Sequence, residues 1–320
     1  MQVKTAGLAV AQNHAWLTVL WLAVRKNYIF WLMLMPSLVL LIAFAYVPMF
    51  GIVVAFRDFN FRDGLWGSPW VGMQNFMFLF NSGRLWLLIR NTLLYNVIFI
   101  VTGTITALTL AIMISEVKNK YFKKLSQSII FLPNFMSWVV IAAIFSSLVH
   151  PELGMLSVWH RNLGLGRLDI YSNVNVWYWL FPVLRLWRTA GFASVIYLAA
   201  IMGLDQECYE SARLDGANIF HEIFHITLPM LRPTIIILTL LSLGGILRGD
   251  FDMFFNIVGN NGLLFRSTDI IDTYVFRSLM VTNNIGMASA AGFFQSVFGF
   301  FFIIICNKLV KIYEPDYALF

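Results

Sequence analysis

The stretch DQECYESARLDGANIFHEIFHITLPMLRP, residues 205–233, is a polar segment between two long apolar segments. Its first part, Glu207 to Leu214, has a helical composition, and the Gly216 that follows suits the left-handed end of a helix. From Asn218 to Thr227 isoleucines recur at helical spacing, and Pro229 comes two residues later. We therefore predict two short helices joined near Gly216. The second ends before Pro229 and buries one apolar face against the membrane surface or a partner protein.

The composition indicates that lipid covers much of the protein surface. Of the 320 residues, 59% are hydrophobic and 12% are charged, whereas a soluble protein carries about 25% charged residues. The formal net charge is +6, but the basic residues are not gathered on one polar domain. Nucleic acid is therefore disfavoured as a partner, and membrane lipid is favoured.

Six segments are long and apolar enough to cross a bilayer, and a segment that crosses lipid must satisfy its own backbone as a helix. They are Tyr28–Phe56, Leu87–Ser115, Ile129–Val149, Val176–Leu204, Thr234–Val258 and Gly286–Asn307. We predict an all-α, polytopic membrane protein. Residues 1–27 form an N-terminal segment with an interfacial helix at Ala15–Val24, and residues 28–320 form the transmembrane domain.

The lysines predict the orientation of the spans. All eight lie in the N-terminal segment, the second loop or the C-terminal tail, and six spans place these three segments on one side of the membrane. Because basic residues near span ends stay in the cytoplasm, both termini and the 205–233 loop are expected there. Cys208 and Cys306 then face a reducing compartment and are expected to be free thiols.

The 205–233 loop resembles the Glu-Ala-Ala…Gly…Ile-x-Leu-Pro signature of permeases in bacterial binding-protein-dependent ABC importers of the maltose type (type I). The matching residues are Glu210, Ala212, Asp215, Gly216, Ala217, Ile226, Leu228, Pro229 and Pro233, and Ser211 stands where alanine is usual. Two further stretches, Phe56-Arg57-Asp58-Phe59 and Asp269-Ile270-Ile271-Asp272, are similar to outer motifs of the branch that imports complex saccharides.

The resemblance implies a non-catalytic permease subunit in the bacterial cytoplasmic (inner) membrane. Its implied partners are a second, non-identical permease, an ATPase dimer and an extracytoplasmic solute-binding protein. ATP and Mg belong to the ATPase, and no cofactor binds this chain, whose sequence lacks the G-x-x-x-x-G-K-[ST] phosphate loop. The implied cargo is a saccharide, with an alginate-type uronate oligosaccharide as our preferred hypothesis, moved by alternating access.

In this family the segment that corresponds to Glu210 through Phe224 forms a coupling helix, which sits in a groove of the ATPase. By resemblance, Gly216 sets the angle between the two short helices of the loop. The residues assigned to ATPase docking are Glu210, Ser211, Ala212, Asp215, Gly216, Ala217, Asn218, Phe220 and Phe224.

Charged residues fall inside two predicted spans, where a charge is costly and usually faces a cavity or a partner. The candidates for the translocation path are Arg185, Arg188 and Trp187 in the fourth span, with Arg248, Asp250 and Asp252 in the fifth. Two interpretations stay open. The charges form Arg–Asp pairs that lock the spans together, or they form a polar wall whose cationic excess suits an anionic saccharide through bidentate contacts.

Two other functions compete with the importer. His221-Glu222-Ile223-Phe224-His225 is a formal H-E-x-x-H motif, which on a helix places two imidazoles for zinc and a carboxylate for a protease. It is short and lies in a polar loop, which favours two ordinary loop histidines. The second competitor is an ion-coupled transporter or channel, although an ion relay would favour carboxylates over arginines.

Overall fold

The computed structural model describes residues 21, 25–81, 83–281 and 283–315, and within these ranges the regular structure is helical. The predicted interfacial helix at Ala15–Val24 lies outside the described residues except for Trp21. The α-helices are α1 (Tyr28–Leu41), α2 (Gly64–Gly67), α3 (Gln74–Asn81), α4 (Leu85–Ser115), α5 (Lys120–Phe131), α6 (Trp138–Val149), α7 (Met155–Asn162), α8 (Trp177–Met202), α9 (Gln206–Leu214), α10 (Ile219–Glu222), α11 (Leu228–Leu243), α12 (Phe251–Val258), α13 (Phe265–Thr268), α14 (Ile271–Met280) and α15 (Ile285–Tyr313).

Tighter and wider turns extend several of these helices. The 3₁₀ segments are Val47–Phe56, Leu132–Phe135, Ile170–Ser172, Val174–Val176 and Gly262–Leu264, and the π segments are Ile42–Tyr46 and Ile223–Thr227. Extended pairing in the described ranges is limited to one isolated bridge between Arg57 and Trp70. The predicted all-α membrane fold is therefore confirmed.

Four helices in the described part of the chain are long and apolar enough to cross a membrane, and two bent helix pairs raise this number to as many as six. The four are Tyr28–Phe56, Leu85–Ser115, Ile219–Leu243 and Ile285–Ile312. The first, second and sixth predicted spans agree with these helices to within a few residues. The fourth predicted span agrees with α8, which then bends by 72° into α9.

The third predicted span, Ile129–Val149, is wrong as a single helix. Lys120–Phe135 and Trp138–Val149 meet at 93°. Pro133 has no backbone N–H to continue the first helix. The hydroxyl of Ser137 then accepts the Val140 N–H at 3.3 Å and starts α6. Two local signals in the sequence therefore break the span.

The fifth predicted span, Thr234–Val258, is also wrong in position. One helix runs over Ile219–Leu243 and stops where Gly244 begins a turn, and α12 is a separate short helix. The prediction that the second loop helix ends before Pro229 is wrong as well, because Pro229 lies inside this helix. The helix continues through that proline because the π turn Ile223–Thr227, with its i→i+5 pattern, makes room for a residue that lacks an N–H.

Close contacts between α4, α5, α8 and α11 form the centre of the bundle. Gly191 of α8 lies directly against α5, because a Cβ built on it would be 2.5 Å from Ile130 Cγ2 and 2.7 Å from the Ile130 carbonyl carbon. Only glycine fits this crossing. The end of the bundle away from the 205–233 loop is filled by buried aromatic side chains, among which Tyr95 and Phe254 have ring centroids 4.9 Å apart.

Candidate functional site

The 205–233 loop is built from local capping interactions. The Asp205 carboxylate accepts the Glu207 N–H at 3.0 Å and starts α9. At the other end, Ala217 N–H donates to the Ala212 carbonyl at 2.9 Å and Gly216 N–H donates to the Arg213 carbonyl at 3.1 Å. This pair of bonds, with a φ of +83° at the glycine, is a Schellman motif. The motif stops α9 and turns the chain toward α10.

The second half of the loop is capped by Asn218, whose side chain accepts the His221 N–H at 3.0 Å. From Ile219 the helix continues without interruption to Leu243. The loop is thus one short helix joined through a left-handed glycine to the start of a long helix. The sequence correctly predicted the first short helix and the joint at Gly216. It did not predict that the second helix continues to Leu243.

Two side-chain pairs brace the angle between the two helices. The Arg213 guanidinium donates to both Glu222 carboxylate oxygens, at 2.8 and 2.9 Å. Glu222 is 6% exposed, so Arg213 rather than water is the main hydrogen-bond donor to this carboxylate. On the same side, the buried Tyr209 hydroxyl lies 3.0 Å from Thr227 Oγ1. These contacts span the glycine joint and hold the loop in one shape.

The outer surface of the loop combines exposed aromatic side chains with carboxylates. Phe220 and Phe224 are 67% and 61% exposed, respectively. The remaining residues assigned to docking are exposed or half-buried, namely Glu210, Ser211, Ala212, Asp215, Gly216, Ala217 and Asn218. A cavity of about 620 Å³ opens between α9 and the start of α11, and Asp205, Glu207 and Asp215 line it. The surface therefore presents aromatic rings beside an acidic pocket.

The H-E-x-x-H motif does not have the arrangement of a zinc site. The rings of His221 and His225 stack with centroids 5.7 Å apart, while Glu222 is engaged by Arg213. In the part of the chain that the structure describes, no group of three or more His, Cys, Asp or Glu side chains is placed to hold a metal ion. The geometry gives the zinc-protease alternative no support.

A cavity of about 530 Å³ lies between α4, α8 and α11, and Arg185 and Arg248 both line it. Hydroxyl-bearing side chains complete much of its polar lining, namely Thr104, Thr189, Tyr197 and Ser242. The cavity thus joins two guanidinium groups with several hydrogen-bonding groups in an otherwise apolar part of the bundle.

The structure brings together some of the predicted charges and separates others. Arg185 Nη1 lies 3.3 Å from Asp250 Oδ2, and both side chains are partly buried. Arg188 points elsewhere, because it donates to the Met136 carbonyl at 3.0 Å in the break before α6. Asp252 and Trp187 are largely exposed and lie outside the lining of the cavity. The Arg–Asp pairing and the polar wall therefore coexist at Arg185.

Sequence reasoning missed Asn96, which is buried in α4 and lines the same cavity. The available signal was a lone amide in a long apolar run. An amide in a span is costly unless it is hydrogen-bonded, but its partners, which lie about 150 positions further along the chain, cannot be found from local pattern.

Several helices long enough to cross a membrane, a braced polar loop and a charged cavity among the helices are features expected of a membrane transport subunit. Residues 103–314 match the family described as the binding-protein-dependent transport system inner membrane component. The chain belongs to this family.

Individual relatives support the same assignment over nearly the whole chain. The Bacillus subtilis polygalacturonan/rhamnogalacturonan transport system permease protein YteP is 31% identical, over 90% of this chain and 89% of its own length. Protein LplB of the same organism is 30% identical, over 98% of this chain and 96% of its own length. The crystal structure of a bacterial ABC transporter involved in the import of the acidic polysaccharide alginate has a chain that is 30% identical. It matches with a TM-score of 0.83, over 92% of this chain and 99% of that one.

These matches confirm that the chain is a non-catalytic permease subunit of an ABC transport system and a multi-pass membrane protein. The ion-coupled transporter or channel and the zinc protease are rejected as functions of this chain. The family assignment does not test the individual docking and pathway residues, which stay predictions.

Proposed function

We propose that this chain is a permease subunit of an ATP-driven importer that moves an acidic oligosaccharide from an extracytoplasmic binding protein into the cytoplasm. The observation that carries the proposal is the pair Arg185 and Arg248 on the wall of one intramembrane cavity. Asp250 pairs with Arg185, and both guanidinium groups still face the cavity. A uronate carboxylate accepts bidentate hydrogen bonds from such groups, and the hydroxyls around them suit a sugar.

The names of the relatives support this substrate class. One is a polygalacturonan/rhamnogalacturonan permease. Another match is a bacterial alginate ABC transporter in complex with an alginate pentasaccharide-bound periplasmic protein, at 30% identity and a TM-score of 0.82 over 91% of this chain and 97% of that one. Polygalacturonan and alginate are both carboxylated saccharides. By this analogy a solute-binding protein delivers the substrate, and a uronate oligosaccharide is the first cargo to test.

The 205–233 loop is the proposed contact with the ATPase dimer, which carries ATP and Mg. Phe220 and Phe224 would enter a groove on the ATPase, since exposed aromatic rings at a water-facing surface are typical binding anchors. The carboxylates of the adjacent cavity would meet a basic rim. A second, non-identical permease completes the pore. Both chain termini and the loop face the cytoplasm, with the whole chain in a bacterial inner membrane.

A binding experiment tests the docking surface. The chain is co-expressed with its candidate ATPase, and co-purification is compared for wild type and Phe220→Glu. A matched control is Tyr121→Glu, because Tyr121 is 75% exposed and lies in the other loop that we place in the cytoplasm. We expect the ATPase to be lost from Phe220→Glu and retained by Tyr121→Glu. Equal retention in both variants would refute the docking surface.

A transport experiment tests the substrate class. The assembled importer is reconstituted with its binding protein, and uptake is followed with uronate and neutral oligosaccharides. Arg185→Gln is expected to raise the KM for uronate by about tenfold, since one charged contact is worth roughly 1.4 kcal/mol or more. Arg167→Gln, which changes a surface arginine, is the control. Unchanged uronate KM in Arg185→Gln would refute the role of the cavity.

A further inference from the structure

The 244–250 turn is a stretch of non-helical backbone between α11 and α12, inside the helical bundle. It separates two cavities, of about 530 and 400 Å³, and Arg248 lines both of them. Unsatisfied backbone groups at membrane depth are costly, and irregular backbone persists there only where protein or a water-filled cavity satisfies it. The turn therefore needs partners for its carbonyl and N–H groups.

Side chains from three different helices supply these partners. Asn96 Nδ2 on α4 donates to the carbonyls of Ile246 at 2.8 Å and Arg248 at 3.0 Å. Gln295 Nε2 on α15 donates to the Leu247 carbonyl. Asp272 Oδ2 on α14 accepts the Gly249 N–H at 2.6 Å and lies 3.2 Å from Gln295 Nε2. We call Asn96, Asp272 and Gln295 the turn clamp.

The clamp binds three successive carbonyls, those of residues 246 to 248, and the next N–H along the chain. Asn96 and Gln295 are both buried, with 8% and 9% of their surfaces exposed, so the protein supplies most of the surroundings of these bonds. Gly249 lies close to the Asp272 carboxylate, because a Cβ at Gly249 would be 3.0 Å from Asp272 Oδ2. The backbone at Arg248 is thereby fixed from both sides, and this fixes the point from which its guanidinium enters the cavities.

We propose that Asn96 is a positioning residue for Arg248, acting through the backbone of the 244–250 turn, and that it sets the affinity of the permease for carboxylated saccharides. This inference rests on the proposed function, because it takes the cavity at Arg248 as the substrate site. Asn96 need not touch the substrate. Its two amide hydrogens place the backbone carbonyls, and Arg248 supplies the charge.

The position of the turn gives the clamp a second consequence. The helix that ends at Leu243 begins at Ile219 in the 205–233 loop, and its 25 residues span about 37 Å at 1.5 Å per residue. The loop and the near end of the turn are therefore joined by one helix, while the clamp attaches the far end of the turn to α4, α14 and α15.

The test compares two buried asparagines on the same helix. Asn91 is also buried, and its amide donates to the carbonyls of Arg266 at 3.2 Å and Asp269 at 2.9 Å, away from the turn. We expect Asn96→Leu to raise the KM for a uronate oligosaccharide at least fivefold with little change in kcat. Asn91→Leu is expected to leave that KM within twofold. Asn96→Gln, which keeps two amide donors, is expected to recover part of the loss.

A second readout does not depend on the substrate. In a background that lacks Cys208 and Cys306, Arg248→Cys is labelled with a water-soluble thiol reagent in lipid nanodiscs. Asn96→Leu is expected to change the labelling rate at least fivefold, and Asn91→Leu is not. Equal rates and equal KM values in the two leucine variants would overturn the inference. A changed labelling rate with an unchanged uronate KM would instead leave the clamp intact and refute the proposed substrate class.

Discussion

Gly216 offers the sharpest test of whether the shape of the 205–233 loop controls the proposed ATPase docking. Its φ is +83°, and a Cβ added there would meet no atom within 4 Å. Gly216→Ala therefore introduces no steric clash beyond its own backbone, and the cost is the conformational penalty of an L-residue in the left-handed region, about 1–2 kcal/mol. That penalty shifts the loop away from its docking shape by about 5- to 30-fold.

We expect the affinity of the ATPase for the permease to fall by up to this factor in Gly216→Ala. Gly216→Asn should lose less than half as much, because asparagine visits the left-handed region more readily. Gly216→Pro should lose the most, since it also removes the N–H that donates to the Arg213 carbonyl. To compare the three variants, labelled ATPase is titrated against each permease in nanodiscs, and the dissociation constants are measured.

A matched control lies at the other end of the loop. Gly203 caps α8 with a φ of −89°, and its added Cβ would meet the nearest atom at an ordinary 3.5 Å. Gly203→Ala is expected to bind the ATPase within twofold of wild type. If Gly216→Ala and Gly203→Ala bound equally well while both remained folded, the left-handed joint would have no part in docking and the reasoning would be refuted.

Two further changes test the packing and the bracing. Gly191→Ala should lower the stability by about 1–3 kcal/mol, because the new methyl group overlaps the Ile130 backbone across α5 and α8. Thermal melting in detergent measures this loss, and Gly292→Ala, which meets open space, should show none. Arg213→Gln leaves the buried Glu222 carboxylate without its cation, so we expect ATP hydrolysis by the assembled importer to respond severalfold less to loaded binding protein. Adding Glu222→Gln should restore part of that response, and an unchanged response in Arg213→Gln would contradict the bracing role.

The existence of the spans was predictable because length and apolar content decide whether a segment can cross lipid. Their breaks were missed, because apolar content alone does not show where a helix ends. The fifth predicted span, Thr234–Val258, included Gly244 and the turn that follows it as if they were helical. The actual helix, Ile219–Leu243, lies 15 residues earlier at both ends. Pro229 led to the opposite error, a predicted helix end where the helix continues. A π turn precedes this proline.

The geometry of the 205–233 loop was predictable where its signals are local. The left-handed Gly216 at the joint follows from residue type, whereas the exposure of Phe220 does not. The bracing contact of Arg213 with Glu222 joins residues nine apart across that glycine, so it depends on a joint angle that sequence pattern leaves open. The contact of Asn96 with Ile246 joins residues 150 apart, and it needs the packed bundle.

The error at Pro229 changes the expected mechanism. Had the helix ended there, motion at the loop would have reached the cavity only through a second joint, and part of it would have been lost as rotation at the proline. The continuous helix instead places Phe220 and Phe224 near one end and the turn that carries Arg248 at the other. The helix is continuous over these residues, although it contains a π turn and two prolines. In the proposed complex, closure of the ATPase at the loop is therefore expected to reach the turn through this one helix.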